Sequence, residues 1–351
     1  MDSISQFALG AAVGVAVMGR RTAPWKAALW GGVCGTLPDL DALIDHGDPV
    51  SNMTLHRAQT HALFWQTLAA PLLAALAGVF GRAGFWRGGA WHSAAWRDGF
   101  GRRLLTVWLI LVTHALLDAM TVYGTQLALP FSDHPFGVGS IFIIDPLYTL
   151  PLLVGLGVAV RARRPAHLSW NVAGLALSTA YLAWSAAAQW HVSSEVRAQL
   201  AGAAGAPVER VLVTPAPFNT LLWRVVVMRE DSYDEGFVSL LDRGRPIRFD
   251  TFPRDAALHG QLRALAPVAR IAWFSRGFFS VDERDGVVRI TDLRMGQEPF
   301  YVFSFAVARR ASEPVPIAPP RSAGGRSGLD PWAYLCWIAR RSLGEDLAPP
   351  R

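Results

Sequence analysis

The sequence predicts a mainly α protein, a polytopic transmembrane helical bundle of about six apolar segments, followed by a C-terminal β-rich soluble domain. Three observations carry that expectation. Of the 351 residues 52% are hydrophobic, only 17% are charged and 14 are tryptophan, which is too apolar for an ordinary water-soluble chain of this length. Long apolar runs recur as far as residue 190 and then stop. Beyond about residue 193 the pattern changes to short alternating segments separated by turn signals.

The apolar runs fall at about residues 4–19, 27–37, 62–80, 104–120, 141–160 and 168–190. The last four approach the roughly 20 residues that a helix needs to cross about 30 Å of hydrocarbon. The first two are shorter and glycine-rich, as expected of tilted or re-entrant helices buried against their neighbours. Met1 and Asp2 lack the basic start of a signal peptide, so the first run is expected to be retained.

The net charge of +6 is read through its position rather than as a nucleic-acid footprint, and no nucleic-acid partner is expected. Arg20, Arg21 and Lys26 follow the first run, Arg82, Arg87, Arg97, Arg102 and Arg103 follow the third, and Arg161, Arg163 and Arg164 follow the fifth. The alternate segments, 38–61 and 120–140, hold a single basic residue, Arg57. By the positive-inside rule the arginine-rich loops are cytoplasmic and the alternate ones outside. Six crossings then predict a multi-pass protein of the bacterial inner membrane with both termini outside and a periplasmic C-terminal domain. Cys34 and Cys336 are too few and too far apart for a disulfide framework.

Three divisions follow: a transmembrane bundle over 1–192, a β-rich extramembrane domain over 193–310, and a Pro/Gly-rich linker with a short helix over 311–351. In the second, LLWRVVVM, EGFVSLLD, ARIAWF, GVVRITDL and FYVFSFAVA read as strands, with RDG as a turn. In the third, ASEPVPIAPPRSAGGRSG reads as a flexible linker. DPWAYLCWIARRSL reads as a helix with Trp332, Leu335, Cys336 and Ile338 on one face.

The polar residues that stand out are few. THALLDAM, in the fourth run, puts His114 and Asp118 four residues apart on one helical face. Ionisable groups in a bilayer cost about 2.5–3.5 kcal/mol even on the insertion scale, so such a pair is hydrogen-bonded, hydrated or metal-bound. Segment 36–61 contains four aspartates and three histidines. Within it Pro38-Asp39-Leu40-Asp41 reads as an extended turn directing Asp39 and Asp41 to one side, although a helix-ending turn with solvated carboxylates explains it as well. HRAQTH brings His56, Arg57, Thr60 and His61, a spacing that is neither one helical face nor a zinc finger. Asp145 before Pro146 reads as a helix N-cap, and Asp2 and Gln6 share a helical face at the outer end of the first run.

The expected topology brings PDLD, HRAQTH and the end of HALLD to one membrane face. Imidazole and carboxylate donors suit zinc, or manganese where oxygen donors dominate, with one or two ions. Arg57 is read either as a clamp for an anion or as the counter-charge of an acidic cluster. Asp41 or Asp39 is the expected general base.

With these residues placed, MDSISQFALGAAVG, GTLPDLD, HRAQTH and HALLDAMTVYGTQ together resemble the YdjM-like family of membrane-bound, predicted metal-dependent hydrolases. The resemblance covers about residues 1–160, and SRGFFSVDERDGVVRITDLRMG is similar to the extension of longer members. It implies metal ligands at Asp39, His56, His61, His114 and Asp118, with Asp41 nearby. Many members carry a histidine where this chain has Gln6. The hydrolase expectation rests on this resemblance, and a site at the membrane surface suits a lipid or lipid-linked ester or phosphoester. The competing classes are a proton- or metal-ion-coupled transporter and a non-catalytic scaffold. A transporter needs polar groups through both halves of the bilayer, whereas here they gather on one side.

Overall fold

The computed structural model describes residues 1–80, 96–161, 167–202, 207–242, 244–325 and 328–351. They divide into two compact units. The helical unit holds Met1–Leu43, Arg57–Val138 and Ile143–Trp184, and the β unit holds Ile44–His56, Gly139–Phe142 and Ser185–Arg351. Arg82, Arg87, Arg163 and Arg164 lie outside the described residues.

The helical unit begins with α1 (Ser3–Met18), whose first amides are capped by the Asp2 carboxylate, and α2 (Pro24–Thr36), which opens with proline at its first position. Their backbones touch. A Cβ on Gly10 would stand 2.4 Å from the Gly31 carbonyl oxygen, and one on Gly35 would stand 2.8 Å from that of Gln6. Gly10 and Gly14 on α1 face Gly31 and Gly35 on α2, the small-residue spacing that lets helices in a membrane approach closely. A 3-10 turn, Pro38–Leu43, follows α2. In the β unit the short helix α3 (Pro49–Leu55) is capped by Asp48. A second 3-10 turn, Gln59–His61, leads into α4 (Leu63–Phe80), which packs on α5 (Trp96–Ala119). α6 (Pro146–Val160) packs against α1, and α7 (Leu168–Ala201) begins in this unit.

The expected six spans are corrected by the helix lengths. Among the described residues one helix, Gly99–Ala119, is long and apolar enough to cross a membrane, or two if the bent pair Pro49–His61 and Leu63–Gly78 counts as one span. With 16, 13 and 15 residues, α1, α2 and α6 reach only about 20–24 Å at 1.5 Å per residue. α7 has 34 residues, but no window of it is sufficiently apolar. An apolar run does not by itself set a span: α6 starts only at Pro146, within its run, and α7 interleaves polar residues along its length.

The unit nonetheless wears its apolar side chains outside. Trp25, Leu29 and Val33 on α2, and Leu68, Leu72 and Leu76 on α4, are exposed at four-residue intervals. Gln6, Gln66, Thr121 and Asn171 are buried instead. This inversion of a water-soluble pattern fits an apolar surrounding.

The β unit contains two four-stranded antiparallel sheets. One runs in the order β1 (Arg210–Pro215), β2 (Leu222–Met228), β3 (Ser232–Ser239) and β4 (Phe249–Pro253). Helices α8 (Ala256–Leu262) and α9 (Ala266–Phe274) follow. The second sheet orders β10-β9-β6-β5, from β5 (Phe279–Arg284), β6 (Val287–Asp292), β9 (Ser304–Arg309) and β10 (Val315–Ser322). β7 (Gly296–Gln297) and β8 (Phe300–Tyr301) pair alone. Asp285 and Gly286, both at positive φ, turn β5 into β6, the geometry that an Asp-Gly hairpin supplies. Every residue of β2 is buried, and Val213, Trp223, Val225 and Val227 pack on Val192 and Val196 of α7.

Three local expectations change. ARIAWF is not a strand but part of α9: Pro267 starts the helix and Val268, Ile271 and Phe274, three residues apart, are its buried face. Val315–Ser322, within the stretch that reads as linker, is β10, paired to β9. α10 (Pro331–Ser342) buries Trp337 and Ile338, with Trp337 edge-on to Phe237 at 4.9 Å, and leaves Trp332 and Leu335 exposed.

Candidate metal centre

The last turns of α5 carry His114 and Asp118, whose Nε2 and Oδ2 lie 3.5 Å apart. The 3-10 turn after α2 directs Asp39 to the same point, its Oδ1 3.6 Å from His114 Nε2 and 3.4 Å from His61 Nε2. His61 closes the second 3-10 turn, with Nε2 3.0 Å from His114 Nε2 and 3.1 Å from Asp118 Oδ2. All four donors fall within 4.8 Å of one another. They enclose one point, and among the described residues no second such group occurs.

The ring orientations follow from what the other nitrogens touch. His114 Nδ1 lies 2.7 Å from the Gly35 carbonyl oxygen, which only accepts, so Nδ1 carries the proton. The close approach of α1 and α2 therefore sets the height of that carbonyl and, through it, the imidazole. Thr60 donates its hydroxyl proton to Asp41 Oδ2 at 2.6 Å and so accepts from His61 Nδ1 at 2.9 Å. Both Nε2 atoms are then left with lone pairs that face each other and two carboxylates. Asp39 Oδ1 is buried without a hydrogen-bond partner.

These residues fit a metal ion. Zinc bound tetrahedrally at its ordinary 2.0–2.1 Å to nitrogen places its donors about 3.3–3.4 Å apart, and every separation that involves a histidine here runs from 3.0 to 3.6 Å. The hydrogen bonds on the far side of each imidazole are those that metal-binding histidines need.

The remaining expected residues stand around this group. Asp41 does not share a side with Asp39, because PDLD winds into a 3-10 turn rather than an extended one; its Oδ2 accepts from the Arg57 amide at 3.0 Å and from Thr60. Arg57, at φ +62°, places Nε 3.2 Å from Asp118 Oδ2 and its guanidinium over the Tyr123 ring. His56 is not among the four: it is the C-cap of α3. Gln6 Nε2 donates to Asp118 Oδ1 at 2.9 Å, and the Met1 nitrogen contacts the same oxygen. Asp2 and Asp145 cap α1 and α6, and Asp145 also accepts from Tyr181. The reading of residue types missed Gly35, whose contribution is a backbone carbonyl, and assigned no role to Thr60, whose place directly before His61 was the available signal.

No curated protein and no solved structure matches the chain. The model of the YdjM inner membrane protein family matches residues 1–192, which include all four donors, Asp41, Thr60 and Arg57. That span is more than half of the 351 residues and carries a membrane location with it. The chain belongs to the YdjM inner membrane protein family.

Proposed function

We propose that the chain is a metal-dependent hydrolase acting on a lipid or lipid-linked ester or phosphoester at the outer face of the inner membrane. The observation that carries this reading is the set of four converging donors, two of them imidazole nitrogens whose protons are fixed on the opposite side of the ring. A divalent ion, zinc or manganese by donor chemistry, would be held there by Asp39, His61, His114 and Asp118 and, with water as a fifth ligand, would lower the pKa of that water and polarise an ester or phosphoryl oxygen. Asp39 is the donor with an exposed edge, its side chain 19% accessible against 0–1% for the other three. Its Oδ1 faces the other donors, so its second oxygen would take the proton of the attacking water as general base. Asp41, already bonded to Thr60 and the Arg57 amide, is a positioning residue for His61. The Arg57 guanidinium beside Asp118 offsets negative charge as it builds on a phosphoester oxygen.

The turn that carries Asp39 also exposes Leu40 and Leu43, an apolar rim suited to an acyl or prenyl chain. Arg102 and Arg103 stand at the start of the Gly99–Ala119 segment and no basic residue in its last turn, so the positive-inside rule turns the Asp118 end outward. The test is release of a water-soluble head group or phosphate from a bacterial lipid extract by metal-replete protein in detergent. A chelator and His114→Ala should each abolish it. Protein that leaves every lipid class intact yet moves protons or divalent ions across liposomes would make the site a transport pathway.

A further inference from the structure

The β unit has a cavity of about 300 Å³, the lower end of the range that small ligands occupy. Its walls come from β5 and β6 (Asp282, Arg284, Arg289, Thr291), from Pro299, Phe300 and Tyr301, from Ser304 on β9, and from residues 323–325 after β10. The last wall is fixed in place: the Ala323 and Gly324 amides donate to the Ser304 carbonyl, and the Gly325 amide to that of Tyr301. At Gly324 the backbone lies so close to the Val302 carbonyl that a Cβ would stand 2.3 Å from its oxygen.

Charge inside this cavity is unbalanced. Asp282 accepts from Arg284 Nε at 2.6 Å, and Arg284 also reaches Glu298 at 3.5 Å, so one cation answers the local acids. Arg289 faces Asp282 in register across β5 and β6, but among the described residues it makes no ion pair, and its buried Nε has no hydrogen-bond partner. Arg289 is half-buried at the cavity wall, and the ligand that answers an unpaired guanidinium there is an oxyanion. A second donor is ready: Ser304 Oγ accepts from Thr291 Oγ1 at 2.8 Å and keeps its own proton to give. We propose that this cavity binds a small organic molecule through a carboxylate or phosphate, with Arg289 as the charged donor and Ser304 as the neutral one. The polar walls suit a hydroxylated body, and Phe300 offers it one apolar face.

The proposal is independent of the hydrolase reading, since every residue belongs to the β unit. Its test is calorimetric titration of the full chain in detergent with glycerol 3-phosphate, malate and inorganic phosphate in turn. The protein is stripped with a chelator that is dialysed away before the titration, so that no metal in the helical unit takes up the anion and no chelator carboxylate competes for the cavity. At least one organic anion should bind with a dissociation constant below about 1 mM. Arg289→Gln should weaken it by about 10-fold or more, as for loss of a charged hydrogen bond, and Ser304→Ala by less. The phosphate and carboxylate arms identify which oxyanion the site takes. Should Arg289→Gln not fold, Arg289→Lys and Ser304→Ala decide, because each must still weaken binding. Absence of binding to wild type at about 10 mM of every probe, or equal affinity in wild type and variants, overturns the proposal.

Discussion

Asp118 in the helical unit and Glu235 in the β unit are both buried to within 1% of their surface, yet their surroundings differ in kind. Glu235 is closed by two arginines, Arg224 and Arg351. Arg224 donates to it through Nε at 2.7 Å and uses its other nitrogens on the Leu293 carbonyl and the Tyr301 hydroxyl. Arg294 and Asp292 form a second closed pair, also fully buried. Around Asp118, Arg57 and the Met1 nitrogen are joined by two histidine nitrogens with lone pairs and a second carboxylate. A buried acid that meets only donors braces the fold; a buried acid that also faces other acceptors makes a place where a cation can be held.

That difference can be broken from either side. Asp118→Ala should have the largest effect, removing bound zinc or manganese almost entirely while the protein still inserts in membranes. Elemental mass spectrometry of wild type and variant would read it, and equal metal content would end the ligand assignment. Arg224→Met should do the reverse. Leaving Glu235 without its main counter-charge costs about 3–5 kcal/mol of stability in a denaturant melt, with metal per folded molecule unchanged. Replacing both partners together, Arg224→Met with Glu235→Leu, should restore much of that loss.

Thr60→Val sharpens the contrast at smaller scale. It keeps the shape of the side chain but leaves His61 Nδ1–H and Asp41 without their shared hydroxyl, so metal affinity should fall by about 10–100-fold. An unaltered dissociation constant would mean that His61 is held by packing alone. The smallest effect belongs to His259 in the β unit, whose pKa is lowered by burial and then by Arg254 and Arg263. Its unfolded value is about 6.5, so the unfolded chain binds more protons just below that pH. The stabilisation is present above about pH 6.5 and is lost as pH falls towards the lower folded value. His259→Gln should flatten that part of the pH dependence of unfolding, followed by tryptophan fluorescence.

The ligands were legible in the sequence to unequal degrees. HALLD gives away His114 and Asp118 because helical periodicity alone puts them on one face. His56 and His61 look equivalent in HRAQTH, and only the φ of +62° at Arg57 separates them. Nothing in the letters announces it, since an arginine rarely takes the left-handed region. The convergence of the three motifs was expected from six full crossings, whereas short helices joined by two 3-10 turns achieve it. In the β unit the Asp285-Gly286 hairpin reads directly. ARIAWF misleads because its β-branched and aromatic letters suit a strand, while its three-residue spacing belongs to a helix.

The unequal exposure of the four donors has a consequence in time. With His61, His114 and Asp118 closed off, an ion held by the proposed centre would enter or leave past the Asp39 edge. Departure requires Asp39 to let go first, and the three buried donors can recapture the ion before it escapes. Loading is then governed by the rate at which one turn of chain opens, so chelators should strip the protein slowly and over a course set by that opening.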